Sequence, residues 1–263
     1  MEKQINLRPY TLTTKDVLSG FQYKYRELLD TIKRKNASID VMTQAAIESD
    51  VSYDNNFALN FALVLGNIDA FNIMLPMVKD YSMADGMTNA VSGDNQEAIK
   101  YIFDLVSYDE VTEEALSIAV NKGNVKFLLE VSEMLAVYDG EYDLVSMAAS
   151  AGHANVFKLL INYIAPYSYA DASIAACESG TLECLKYLMS QYNYSSKELL
   201  NSMKVACIYD ESDCLIELLS KYEVSSTPEE ENYVVRAAIS RSSFKCIKKL
   251  RQAGFDFSFD NGL

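Results

Sequence analysis

Small and apolar residues recur along the chain in a block of regular spacing. The block is clearest at residues 62–67, 119–124, 148–153 and 176–181, where an alanine stands four places before a glycine. We number each copy from this glycine as position zero, and the same register extends to three further copies. Position zero is occupied by Gly66, Asp94, Gly123, Gly152, Gly180, Asp210 and Ser242, at intervals of 28, 29, 29, 28, 30 and 32 residues. A repeat of this length is typical of proteins built from stacked supersecondary units.

Three positions of the block are apolar in every copy. Position −4 is always alanine: Ala62, Ala90, Ala119, Ala148, Ala176, Ala206 and Ala238. Position +5 holds Phe71, Ile99, Leu128, Phe157, Leu185, Leu215 and Ile247. Position +8 holds Met74, Ile102, Val131, Leu160, Leu188, Leu218 and Leu250. Three columns without a polar exception predict that these positions are buried.

The columns predict a pair of antiparallel helices in each copy. Positions −7, −4 and −3 lie on one face of a first helix, and positions +4, +5, +8 and +9 lie on one face of a second. A glycine or short polar residue at zero suits the left-handed residue that ends the first helix. Alanine at −4 lets the two helices approach closely. One pair cannot bury its apolar face alone, so neighbouring pairs must stack, and the predicted fold class is all-α.

The pattern resembles the ankyrin repeat, whose helix pair reads roughly Leu-His-x-Ala-Ala-x-x-Gly-His-x-x-Val-x-x-Leu-Leu. Residues 148–153 and 156–160 match it closely, residues 250–256 resemble the exit from the family's second helix, and residues 260–262 resemble the turn that follows. The resemblance covers about residues 51–263. It implies a helix–turn–helix repeat solenoid that binds other proteins.

The copies also depart from the ankyrin pattern. Most are shorter than the family period of ~33 residues, and the Thr-Pro opening of the first helix is absent. Asp85, Glu114, Asp143 and Asp171 stand near that place, where a carboxylate can cap the helix or face its dipole. The glycine of the family's hairpin exit occurs only in the last copy. We therefore expect abbreviated loops in place of β-hairpins.

Residues 1–50 do not fit the register, and we interpret them as a helical N-terminal cap. An amphipathic helix is predicted over residues 15–35, with an apolar face formed by Val17, Phe21, Tyr25, Leu28, Leu29 and Ile32. A second short helix is predicted over residues 39–48. A stack needs terminal units with one polar face, and this segment would supply one of them. Residues 51–263 then form seven repeats. The last repeat, about residues 232–263, is expected to close the other end.

Charge narrows the classes of partner. The chain carries a formal net charge of −14, and residues 51–235 contain 9 Lys/Arg and 28 Asp/Glu residues, a net charge of −19. Binding to nucleic acid or to an anionic membrane needs a positive surface, so neither is expected. A protein with a basic surface is the favoured partner, and a monomer is favoured over an obligate oligomer.

The compartment is expected to be intracellular and reducing, most simply the cytoplasm. The first ten residues contain no apolar signal-peptide core, and no apolar run approaches the 18 residues of a membrane span. The five cysteines fall in two columns of the repeat: Cys177 and Cys207 at −3, and Cys184, Cys214 and Cys246 at +4. These columns are otherwise apolar, which predicts buried thiols and argues against a metal site, for which Cys-x-x-Cys or histidine would be expected.

No motif predicts catalysis, a cofactor or a metal. His153 is the single histidine, and it follows Gly152 where ankyrin repeats often use histidine for hydrogen bonds between loops. The chain lacks a P-loop, Gly-x-Gly-x-x-Gly, His-Glu-x-x-His and Gly-x-Ser-x-Gly. Acidic pairs such as Glu113 and Glu114 are expected to be solvated. Calcium at residues 139–143 is an alternative that the oxygen ligands there suggest, but the twelve-residue EF loop is absent.

Two features are candidates for binding a partner. Acidic residues gather between the repeats, and a tyrosine recurs near the exit of each second helix. The predicted partner-binding residues are Asp80, Asp85, Tyr108, Asp109, Glu110, Glu113, Tyr138, Asp139, Glu141, Asp143, Tyr167 and Tyr194. The alternatives are a solubility-giving acidic face and tyrosines that pack over the next repeat with their hydroxyls in water.

The sequence thus predicts a non-catalytic adaptor or effector that binds a basic protein through an acidic loop edge and the concave face beside it. This expectation depends in part on the resemblance to ankyrin repeats. An alternative is an acidic DNA mimic that inhibits a nucleic-acid-binding enzyme, for example in host–virus conflict. An enzyme is the least favoured class, because no catalytic constellation is visible.

Overall fold

The computed structural model of the chain describes residues 20–34, 36–106, 111–222 and 228–258. This part of the chain forms seventeen α-helices and one short 3-10 helix, and it contains no β-strand. The all-α prediction is therefore confirmed, as is the absence of β-hairpins between the helices described. The chain divides into two compact units, residues 1–118 and 119–263.

The helices alternate regularly with short connections. The first unit contains α1 (Gly20–Lys33), α2 (Ile39–Ile47), α3 (Tyr53–Leu65), α4 (Ile68–Met74) with the 3-10 helix Leu75–Met77, α5 (Met83–Ser92), α6 (Gln96–Leu105) and the start of α7 (Glu113–Lys122). The second unit contains α8 (Val125–Glu130), α9 (Ser132–Leu135), α10 (Leu144–Ser150), α11 (Ala154–Leu160), α12 (Tyr169–Ser179), α13 (Leu182–Gln191), α14 (Ser196–Ile208), α15 (Ser212–Leu219), α16 (Pro228–Ser240) and α17 (Phe244–Gln252).

The residue at position zero is left-handed in every copy, as predicted. Its φ angle lies between 52° and 76° in all seven cases, and each falls between a first and a second helix. Glycine occupies the position at no steric cost, whereas Asp94, Asp210 and Ser242 accept a conformation that short polar side chains tolerate better than most. Each zero residue reverses the chain, so the second helix runs back along the first.

The apolar columns form the core. All seven alanines at position −4 and all seven residues at position +8 are fully buried. Position +5 is buried in six copies, and the exception is Ile247, which is half-buried. Position −3 is likewise buried in six copies, and the exception is Ile239 of the last copy, which is half-buried. Positions −3 and +5 are therefore buried in every copy that is followed by another helix pair.

In the first unit, each helix pair packs against the next. α3 contacts α4 and α5, and α5 contacts α6. The N-terminal pair follows the same rule, since α1 contacts α2 and α3, and α2 contacts α4. The Asn67 amide donates a hydrogen bond of 2.8 Å to the carbonyl of Ile32, and its side-chain oxygen caps α4 by accepting from the Ala70 amide.

The two N-terminal helices agree with the predicted bounds. α2 begins at the predicted Ile39 and ends one residue early, and α1 lies inside the predicted span, of which residues 15–19 and 35 are outside the described part of the chain. Tyr25, Leu28 and Ile32 form the buried face of α1. The role of this pair as a terminal cap stays a prediction.

In the second unit, first helices pack on first helices and second helices on second helices. The series α10, α12, α14 and α16 forms one layer, and α8, α11, α13, α15 and α17 form the other. Hydrogen bonds near the turn between the two helices of a pair tie some pairs to the one before. Ser179 Oγ donates to the Ala149 carbonyl at 2.6 Å, and Ser243 Oγ donates to the Cys207 carbonyl.

Short polar residues begin most of the first helices. The side chains of Ser82, Thr112, Ser168 and Ser195 each accept a hydrogen bond from the backbone amide three residues later. Asp143 does the same for α10, at 3.1 Å from the Ser146 amide. These caps satisfy amides that have no partner inside the helix. The predicted carboxylate cap is thus found at Asp143, whereas Asp85, Glu114 and Asp171 lie within the first helical turn.

Candidate functional site

Three of the predicted acidic residues lie on the first unit. Asp80 and Asp85 are exposed at the start of α5, and Glu113 is half-buried in the first turn of α7. The predicted residues Tyr108, Asp109 and Glu110 lie outside the described residues. Asp80, Asp85 and Glu113 stand near the starts of first helices, where the helix dipole favours negative charge.

Three more acidic residues lie in the connection that precedes α10 in the second unit. Asp139 and Glu141 are exposed. Asp143 is half-buried, and both of its carboxylate oxygens are engaged by Ser146, one by the amide and one by the hydroxyl at 2.6 Å. Asp143 therefore serves the fold as a helix cap, whereas Asp139 and Glu141 are exposed to solvent.

Two tyrosines fix the shape of this acidic connection. The Tyr138 hydroxyl lies 3.2 Å from both the amide and the carbonyl of Tyr142. The Tyr167 hydroxyl donates to the carbonyl of Gly140, and its side chain remains 60% exposed. The predicted tyrosines thus border the acidic residues, and Tyr167 presents a broad exposed ring beside them.

Three of the other recurring tyrosines tie the connection that follows a helix pair to a first helix. Tyr81 donates to Asn60 at 2.7 Å, Tyr194 donates to the Tyr169 carbonyl at 3.0 Å, and Tyr222 donates to Glu231 at 2.9 Å. Burial raises the pKa of Tyr81 and of Tyr194 above the usual range. The hydroxyls of these three tyrosines therefore bond to protein groups, whereas the packing alternative expected them in water.

Three exposed carboxylates of the predicted set have no neighbouring cation among the described residues. Within the described part of the chain, none of Asp80, Asp85 and Asp139 lies within ion-pairing distance of a lysine or arginine. Ion pairs lie elsewhere on the surface, for example Lys158 with Glu183 at 2.6 Å. Each unit therefore presents at least one exposed carboxylate that no described lysine or arginine neutralises.

The cysteines are buried, as the columns predict. All five are free and at most 1% exposed. The structure brings together residues from different columns: Cys177 at −3 lies beside Cys214 at +4 of the next copy, and Cys207 lies beside Cys246 in the same way. Interaction with the neighbouring thiol and burial raise the pKa of Cys177 and of Cys207. Burial raises the pKa of Cys184 to about 12, so little thiolate forms at neutral pH.

His153 has the structural contact that the sequence predicts. Its Nε2 lies 3.0 Å from the carbonyl of Asn121 in the preceding copy. Across the residues described here, no three His, Cys, Asp or Glu side chains are placed to hold a metal ion. The same residues include no helix that is both long enough and apolar enough to cross a bilayer.

Comparison with known proteins gives no family assignment. No protein-family model matches the chain, and no curated protein sequence matches it.

Proposed function

We propose that the helix pairs are ankyrin-type repeats, stacked within each unit, and that the chain is a non-catalytic module that binds another protein. Three features support the repeat assignment: the left-handed residue in all seven copies, the buried alanine column, and the hydrogen bonds that join some pairs to the one before, as at His153 and Ser179. Repeats of this kind present their short connections as a series of surface loops that can contact a partner.

The proposed partner is a protein with a basic surface. The observation that carries this proposal is the set of three exposed carboxylates, Asp80, Asp85 and Asp139, that lie in or next to the connections between helix pairs and have no described lysine or arginine within ion-pairing distance. Opposite charge on a partner would accelerate encounter and set its orientation. Tyr167 adds an exposed aromatic ring beside Asp139 and Glu141, and tyrosine is favoured at protein interfaces.

A second candidate function is mimicry of DNA. The net charge of −19 over residues 51–235 favours it, because a row of carboxylates could occupy the basic groove of a nucleic-acid-binding enzyme. The two functions differ in the competitor they predict: duplex DNA would displace a mimic from its target but would leave an adaptor bound elsewhere on its partner.

We expect the neutralised variant Asp80→Asn, Asp85→Asn, Asp139→Asn and Glu141→Gln to lose most of its protein partners. Asp143 is left unchanged because it caps α10. At low salt the affinity should fall at least about fivefold, since each exposed charge contributes about 0.2–1 kcal/mol to a contact. The measurement is the amount of each lysate protein retained by the immobilised full chain between 50 and 300 mM salt, quantified by mass spectrometry.

A matched control keeps the same change in net charge. Glu97→Gln, Asp104→Asn, Glu130→Gln and Asp213→Asn remove four exposed carboxylates from second helices, and this variant should retain the partners. Duplex DNA is then added to the wild-type resin to separate the two functions. Equal retention by the neutralised and control variants, with equal salt dependence, would show that the acidic surface serves solubility alone.

A further inference from the structure

A groove between α14 and α16 has a chemistry opposite to that of the acidic connections. It encloses about 270 Å³ between two successive first helices of the second unit. Its floor is apolar, because Leu200 and Val234 line it and both are buried. Its walls are polar: α14 supplies Lys197 and Lys204, and α16 supplies Tyr233, which is 64% exposed.

The two lysines lie on the same face of α14. They are seven residues apart, which is close to two helical turns, so their side chains leave the helix about 10 Å apart along its axis. Asn201 lies between them and also lines the groove. Within the described part of the chain, no carboxylate is within ion-pairing distance of Lys197 or Lys204.

We propose that this groove is a docking site for a short acidic segment of a partner protein. Two carboxylates of the segment would pair with Lys197 and Lys204, and an apolar side chain between them would lie on Leu200 and Val234 beside the Tyr233 ring. The site is separate from the acidic connections, so the chain would offer two surfaces of opposite charge to its partners.

The spacing of the lysines defines the segment. A peptide in the polyproline II conformation advances about 3.1 Å per residue with three residues per turn, so carboxylates at positions i and i+3 lie on one face about 9 Å apart and match the two ammonium groups. The volume is small for a helix but sufficient for a few side chains of such an extended segment. Glu230 lines the same groove, and it would oppose an acidic segment unless the segment leaves it in solvent.

The surrounding charge favours a short peptide over nucleic acid. A duplex carries one negative charge for about every 1.7 Å of its axis and would extend well beyond a groove of this length. It would then approach the carboxylates of a region whose net charge is −19 over residues 51–235. A segment of about four residues keeps its charges beside the two lysines, within about one Debye length of ~8 Å.

The chain offers a clean optical test, since it contains no tryptophan. Tyr233→Trp places a single fluorophore in the groove, and Tyr163→Trp, at a partly exposed site outside the groove, serves as a control. The probe is the capped peptide Gly-Ser-Glu-Ala-Leu-Glu-Ser-Gly, whose glutamates are at i and i+3. Its counterpart carries glutamine at both positions. Both are titrated into the full chain at 50 mM salt.

We expect the glutamate peptide to bind Tyr233→Trp about two- to thirtyfold more tightly than the glutamine peptide, because two exposed charge pairs contribute about 0.4–2 kcal/mol together. Lys197→Ala with Lys204→Ala should reduce this ratio to about one. Glu230→Gln should raise affinity for the glutamate peptide about twofold. The control Lys126→Ala with Lys186→Ala, which removes two exposed lysines from second helices, should leave the ratio unchanged.

Several outcomes would overturn the proposal. The glutamate and glutamine peptides could bind equally, or the two lysine variants could behave alike. A 12-base-pair duplex that binds more tightly than the glutamate peptide would identify the groove as a nucleic-acid site. A change in tryptophan fluorescence with protein concentration alone would identify a second copy of the chain as the occupant. Because the neutralised variant of the acidic connections keeps the groove intact, failure of one proposal leaves the other standing.

Discussion

Leu215→Ala is expected to destabilise the chain by about 2–5 kcal/mol, the largest effect of any single substitution considered. Leu215 occupies position +5 of the sixth copy and is fully buried on α15, which contacts α13, α14 and α17. Truncation removes its contacts with several helices at once and leaves a cavity that rigid helix pairs cannot fully close. Urea unfolding followed by circular dichroism measures the loss.

Ile247→Ala is the matched control for Leu215→Ala. Ile247 is the residue of the same column in the next copy, but it is half-buried. Folding removes less apolar area of Ile247 than of Leu215 from water. Truncation of Ile247 should therefore reduce the free energy of unfolding clearly less than truncation of Leu215 does. If the two substitutions cost the same, position +5 is not covered by the following pair, and the stacking of second helices described above is wrong.

Ala148→Leu is expected to have the second-largest effect and to destabilise the chain by about 1–3 kcal/mol. Ala148 is fully buried at position −4 on α10, between α11 of its own pair and α12 of the next. The added atoms have no free volume to enter, so the helices must move apart or the side chain must take a strained rotamer. The midpoint of thermal unfolding should fall accordingly.

Ala136→Leu adds the same atoms at an exposed position in the same unit. It should leave the midpoint of thermal unfolding nearly unchanged, since Ala136 ends α9 in an ordinary right-handed conformation that leucine also adopts and exposed positions away from the core tolerate substitution. If Ala148→Leu also leaves the midpoint of thermal unfolding unchanged, the alanine column is not what allows the paired helices to pack closely.

The sequence predicts the register well because two of its columns have strict physical requirements. The zero residue must tolerate a positive φ, and all seven residues there do so. The −4 residue must leave room for a second helix, and all seven are fully buried alanines. The helix bounds near the N-terminus were also predictable, because Ser38 caps α2 directly before its first residue.

Contacts between different columns were not predictable in the same way. The columns compare residues at the same position in successive copies, whereas Cys177 contacts Cys214 and Cys207 contacts Cys246 along a diagonal. The first helix of one copy must face the second helix of the next for this to occur, and only the packing of complete pairs determines that. The groove at Lys197 and Lys204 was not predictable for the same reason, because it forms between two helices about thirty residues apart in the sequence.

The candidate binding residues divide according to their local hydrogen bonds. An acidic residue before a helix serves equally well as a cap or as a ligand for a partner, and the sequence does not distinguish them. Asp143 proves to be a cap because Ser146 engages both of its oxygens, whereas Asp139 is exposed. Likewise, the hydrogen-bond partners of Tyr138 and Tyr194 depend on loop positions that no column encodes.

Deletion of one complete copy tests the central claim, that the chain is a series of equivalent helix pairs, most directly. Removing residues 153–180 joins Gly152 at zero to Thr181 at +1 and preserves the register. Because each pair contacts only its neighbours, the shortened chain should unfold cooperatively and keep the same helical signal per residue. Removing residues 153–166, about half a copy, should abolish cooperative unfolding. Equal loss of cooperative unfolding in both deletions would contradict the account.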